Sequence, residues 1–74
     1  MAQPFYTTVE NQKRNDGSYG VLYDHFDNKN QAEAKFFTIC AAAAVSDIPY
    51  HAAYLIDSNM GVIEQRAWDR RESV

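Results

Sequence analysis

The chain has 74 residues, 46% hydrophobic and 23% charged, with a formal net charge of −3. That composition is far from the low-hydrophobicity, high-charge balance of disordered chains, and it describes one small folded domain. Seven Lys and Arg spread along an acidic chain supply no basic field for phosphates or anionic lipid, so nucleic acid and membrane surfaces are unfavoured partners.

A domain of this size buries only about 60% of its unfolded surface, and a partner or second copy would add to its stability. Cys40 is the only cysteine, so no internal disulfide is possible and a reducing, cytoplasmic setting is expected. The first ten residues, MAQPFYTTVE, carry neither a basic start nor an apolar run, and no segment approaches the ~20 apolar residues of a membrane helix.

In chain order, Phe5 to Arg14 is rich in aromatic and β-branched residues and reads as a strand. Asn15-Asp16-Gly17-Ser18 supplies an Asp-Gly turn, and Tyr19 to Phe26 returns as the second strand. Asp27 or Asn28 can cap a helix, and Asn28 with Gln31 three residues on resembles a capping box. From Lys29, the residues Ala32, Phe36, Ile39, Cys40 and Ala43 recur at helical spacing. Ala34, Phe37, Ala41 and Ala44 broaden that stripe, while Glu33 and Lys35 face water. Gln31 to Ser46 is the clearest helical run, and Ile48-Pro49 ends it because the residue before proline is driven out of the α region. Tyr50 to Asp57 and Val62 to Asp69 then pair across Ser58-Asn59-Met60-Gly61, with Gly61 read as the site of positive φ. The expected fold is α+β: two β-hairpins flanking one helix (ββαββ), giving a four-stranded, mostly antiparallel sheet with the helix on one face. All 74 residues form a single domain, with 1–3 and 70–74 as frayed ends.

Residues opposite each other in an antiparallel pair point the same way, so the turns sort the side chains into faces. With Asp16-Gly17 as a two-residue turn, Leu22 lies opposite Asn11 and Asp24 opposite Val9. Phe5, Val9, Leu22 and Phe26 then share one face; Tyr6, Thr8, Glu10, Tyr19, Val21, Tyr23 and His25 share the other. With Ser58 to Gly61 closing the second hairpin, Ile56 lies opposite Ile63 and Ala52 opposite Ala67, a small aliphatic surface suited to an alanine-rich helix. His51, Ala53, Leu55, Val62, Glu64, Arg66 and Trp68 lie opposite them. The uncovered face expected on this register carries Tyr6, Tyr19, Val21, Tyr23, Leu55, Val62, Arg66 and Trp68, and these are the candidate partner-binding residues.

An aromatic sheet face has three readings. A half-solvated antiparallel face is ordinary, and Tyr has high β-propensity wherever it falls. Self-association by sheet packing or edge pairing, or docking of a protein partner, is the functional reading favoured here, with a homodimer expected. Stacking of single-stranded nucleic acid is the alternative, but the RNA-recognition (RRM) fold needs βαββαβ order and two helices, and the charge is wrong. Catalysis is disfavoured. Cys40 lies on the apolar helix face as a core thiol, and His25 and His51, placed on one sheet face, lack the ligand set of a zinc site. Gly17, Gly20 and Gly61 are isolated, so there is no phosphate loop. No cofactor, metal or small-molecule substrate is implied.

The run from Tyr19 to Glu72 resembles the small ββαββ proteins carried by phages and conjugative elements of gut Firmicutes. The shared features are the Tyr23-Asp24-x-Phe26-Asp27 strand end, an alanine-rich helix with the Phe36-Phe37 pair, and a second hairpin. The resemblance implies an intracellular accessory protein of a mobile element and carries over no functional residues.

Overall fold

A computed structural model describes residues 4–70. Strands β1 (Tyr6–Lys13) and β2 (Tyr19–Phe26) precede helix α1 (Lys29–Ala44), and β3 (Tyr50–Asp57) and β4 (Val62–Asp69) follow it. The strands form one antiparallel sheet in the order β2-β1-β3-β4, with the two long central strands pairing along their whole length. This is the ββαββ α+β architecture that the two hairpins and the capped helix predict. The expected fraying of 1–3 and 71–74 lies outside the described residues.

The helix starts where Asn28 can cap it: its Oδ1 accepts from the backbone N–H groups of Asn30 and Gln31 at 2.8 and 3.2 Å. It stops at Ala44, two residues short of Ser46, and a residue from the far end of the chain finishes it. Arg70 Nη2 donates to the carbonyls of Ala43 and Ala44 at 2.9 and 3.0 Å, joining the Ser46 N–H at the first of them and adding a partner at the helix's last carbonyl. Arg70 N also donates to Pro49 O, so this residue is tied down rather than frayed.

The buried stripe of α1 is narrow: Ala32, Phe36, Ile39 and Ala43, with Cys40 half-buried. Ala34, Phe37, Ala41 and Ala44, which the apolar spacing adds to the stripe, are exposed, because a lone helix lying on a sheet touches it along one line only. Phe36 and Ile39 pack with Ala53 and Leu55, flanked by Tyr6, Phe26 and Ile63. The helix therefore sits on the Ala53–Leu55 side of β3, and Ala52, Ile56 and Ala67 are on the opposite face, the reverse of the expected assignment. The reason lies in the connection. β2 and β3 each run antiparallel to β1, so they are parallel to one another and α1 is a crossover between them. The strong preference for a right-handed crossover leaves one face for the helix once the strand order is set.

The first hairpin differs from expectation by one residue. Gly17 takes φ +86°, its N–H donates to Arg14 O at 3.0 Å, and Arg14 N donates to Ser18 O at 2.9 Å. Asn15, Asp16 and Gly17 thus make a three-residue loop with glycine in the left-handed position, in place of a two-residue Asp-Gly turn. The pairs become Glu10 with Leu22, Val9 with Tyr23 and Tyr6 with Phe26. One residue of slip exchanges the partners' faces, so Val9 joins Tyr23 and Tyr6 joins Phe26. Asp16 Oδ1 accepts from the Ser18 hydroxyl and the Ser18 N–H, and these bonds hold its carboxyl below the usual carboxylate range.

The second hairpin repeats the geometry. Met60 N donates to Asp57 O at 3.0 Å and Asp57 N to Gly61 O at 2.9 Å, and the left-handed residue is Met60 at φ 68°, not Gly61. Gly61 serves a different need: a Cβ there would lie 2.9 Å from Asp57 Oδ2, whose carboxylate accepts from the N–H groups of Asn59 and Gly61. Ala52 pairs with Ala67 as expected, but a bulge between Leu55 and Ile56 sets Ile56 opposite Val62, not Ile63. A side chain in the left-handed region costs roughly 1–2 kcal/mol, while glycine loses roughly 0.5–1 kcal/mol in chain entropy. Met60→Gly is therefore expected to stabilise the fold by about 0.5–1 kcal/mol, read as a Tm a few degrees higher by circular dichroism.

Candidate interaction face

Pairing fixes what the helix leaves uncovered. Along β1 and β2, Thr7, Val9, Asn11 and Lys13 share the open face with His25, Tyr23, Val21 and Tyr19. Along β3 and β4 the same face carries Tyr50, Ala52, Tyr54, Ile56, Val62, Gln65, Ala67 and Asp69. Tyr19, Val21, Tyr23 and Val62 are 71, 54, 64 and 55% exposed, so much of this apolar surface is wet. Ala52 is buried between the larger side chains around it. Its small size makes a floor, and shallow grooves open beside the tyrosines: one of about 300 Å³ against Tyr54, Gln65, Arg66 and Ala67, another of about 210 Å³ against Asn11, Gln12, Lys13, Tyr19 and Tyr50.

The side chains of the open face hold one another. Thr7 Oγ1 and His25 Nδ1 are 2.9 Å apart across the β1–β2 pair. The His25 ring makes edge contacts with Phe5 and Tyr23, at centroid distances of 6.0 and 5.9 Å. Phe5, expected in the core, is thus 41% exposed at the rim of the open face. Lys13 Nζ lies 5.1 Å from the Tyr19 ring centroid, a cation–π contact. Among the described strand residues on this face, the formal charges are Lys13 and Asp69, so the surface is close to neutral although the chain is acidic.

The structure divides the expected partner-binding set. Tyr19, Val21, Tyr23 and Val62 are on the open face; Tyr6, Leu55, Arg66 and Trp68 are on the helix side. Leu55 is fully buried beneath α1, Tyr6 packs against the same cluster, and Trp68, opposite buried His51, is half-buried. Sequence reasoning missed Tyr50 and Tyr54 as members of the open face. Their two-residue spacing to Ala52 places all three on one side of β3, but only the strand order shows which side the helix leaves free.

The histidines are separated as well. β1 lies between β2 and β3, and His25 points to the open face while His51 points to the helix side, so the expected shared face does not exist. His51 is buried, with Nε2 2.9 Å from Glu10 Oε2, and Gln12 Nε2 donates to the same carboxylate oxygen at 2.9 Å. The His51–Glu10 contact is close but lacks hydrogen-bond alignment, and both ring nitrogens and the buried Thr8 hydroxyl go without a hydrogen bond. Unbonded buried polar groups of this kind lower stability. Cys40 is across the sheet from His25, and burial pushes its thiol up, with Glu64 adding to the shift and Arg66 opposing it. A thiol so placed is a poor nucleophile at neutral pH. Among the described residues no group of three His, Cys, Asp or Glu side chains is positioned to hold a metal ion, and no helix is long and apolar enough to cross a membrane.

No family model, curated protein or solved structure matches this chain.

The division of the aromatic residues has a direct consequence for stability. Trp68→Ala should destabilise the fold by about 2 kcal/mol through lost packing on the helix side, whereas Tyr23→Ala should stay within about 0.5 kcal/mol. Urea unfolding followed by circular dichroism measures both; equal losses would contradict the face assignment.

Proposed function

We propose that this chain is a non-enzymatic accessory protein that binds another polypeptide through the open sheet face. The observation that carries this reading is a wet, nearly neutral row of tyrosines and aliphatic residues on the face opposite the helix. Tyr combines a large apolar body with a polar tip and loses few rotamers on binding, which is why it recurs in protein-binding surfaces. A protein partner fits better than single-stranded nucleic acid. Bases could stack on Tyr19 and Tyr23, but a phosphate backbone needs a line of cations, and Lys13 is the face's one permanent cation among the described strand residues. A reducing cytoplasm suits the single half-buried thiol, and a role in a mobile element is what the resemblance to phage and conjugative-element proteins implies.

The size of the face sets the strength of such binding. Four strands of eight residues span a rectangle of ~26 by ~19 Å, or ~500 Å². A stable interface buries ~800 Å² on each partner, so one copy of this face supports transient binding.

The test is affinity capture with the wild-type chain and with Tyr54→Ala, a central-strand change away from both sheet edges, alongside a titration of fluorescently labelled oligo(dT) at low salt followed by anisotropy. A polypeptide retained by the wild type and lost with Tyr54→Ala, with no response to the oligonucleotide, is the expected result. Identical capture by the two proteins, or a salt-sensitive response to oligo(dT), would overturn the protein-binding reading.

A further inference from the structure

The two edges of the sheet are not alike. β4 is guarded as exposed edges usually are, by the bulge at Leu55/Ile56 and by Glu64, Arg66 and Asp69 along its length. β2 is less guarded: its pairing with β1 is uninterrupted, it contains no Lys or Pro, its one carboxylate, Asp24, is paired with Lys35, and Tyr19, Val21, Leu22 and Tyr23 are 71, 54, 63 and 64% exposed. Leu22 points to the helix side, where it lines a groove with Lys35 and Ile39 yet stays exposed, so both faces of this edge carry wet apolar side chains.

The backbone of β2 is equally open, and its parity is known. Arg14 N donates to Ser18 O, which makes Arg14–Ser18 a hydrogen-bonded pair. Such pairs alternate, so Gly20, Leu22, Asp24 and Phe26 bond inward to β1. Tyr19, Val21, Tyr23 and His25 therefore direct their N–H and C=O groups outward.

We propose that β2 pairs antiparallel with β2 of a second copy, about a twofold axis at Leu22. In this register Tyr19 exchanges backbone bonds with His25 of the other copy and Val21 with Tyr23, using every outward group of the edge. Leu22 meets its own counterpart, covering an apolar side chain that the monomer leaves wet. Charge fits as well. Asp24 comes opposite Gly20 of the other copy, the glycine over which Arg14 lays its guanidinium, so an Arg14–Asp24 ion pair forms twice across the axis without a carboxylate facing a carboxylate. Lys35, already 3.6 Å from Asp24, joins the same cluster. The two open faces merge into one continuous aromatic surface of ~1000 Å², enough for the stable interface that one face is too small to make.

Light scattering on the intact chain at micromolar concentration should give twice the 8.5 kDa chain mass. Val21→Pro removes an outward N–H that the monomer does not use, and Leu22→Lys puts two ammonium groups on the axis; each should return the mass to that of one chain with an unchanged circular dichroism spectrum. If Val21→Pro fails to fold, Leu22→Lys carries the test alone. Register is read by oxidising Leu22→Cys and Tyr23→Cys in a Cys40→Ala background: rapid cross-linking at position 22 and not at 23 is expected. A single-chain mass for the wild type, a double mass that persists in Leu22→Lys, or equal cross-linking at both positions would overturn the proposal. Tyr54→Ala should leave the mass doubled, so loss of dimerisation and loss of partner binding are separable.

Discussion

Phe36 and Ile39 rest on Ala53 and Leu55, and this one contact decides which half of the sheet is dry. A strand side chain has two directions available. Once Leu55 is under the helix, Thr8 and Glu64 opposite it must share its side, and Val9 and Tyr54 must turn away. Strand pairing carries that choice from β3 outward to both edges. The helix itself is held at both ends, by Asn28 at its start and by Arg70 at its finish, so the last described residue of the chain helps to fix the element that organises the sheet.

The helix side is dry over the central strands, but not wholly apolar. Beneath α1, Thr8 and His51 are buried with polar atoms that make no hydrogen bonds, and Glu10 approaches His51 without aligning to it. A small domain with such a core has little stability to spare. The open face shows the opposite condition: large apolar side chains remain in water, while Thr7, His25, Phe5 and Tyr23 hold one another in place. Ordering these side chains in advance reduces the entropy lost when they meet a partner.

The two hairpins use the same loop geometry with different chemistry. Gly17 occupies the left-handed position of the first loop without penalty, and Met60 occupies that of the second with a side chain. Asp57 compensates in the second loop by accepting from the Asn59 and Gly61 N–H groups. Loop length then sets register, and the two edges differ in composition: a largely apolar β2 and a charged, bulged β4.

The ββαββ order, the strand limits to within a residue and a capped start of α1 at Asp27 or Asn28 were legible in the sequence, because turn, cap and Ile48-Pro49 signals act locally and hydrophobic period distinguishes helix from strand. The pairing of Ala52 with Ala67 was legible for the same reason. The face assignment was not. A two-residue and a three-residue loop both accommodate Asn15-Asp16-Gly17, and they differ by the one residue that moves Tyr6 beneath the helix and Val9 away from it. Nor does a local pattern reveal that β1 separates β2 from β3, which parts His25 from His51 and makes α1 a crossover with one allowed side. Local chemistry determined the elements of this protein; the side each residue faces was decided by strand order and crossover hand, which exist only once distant segments have met.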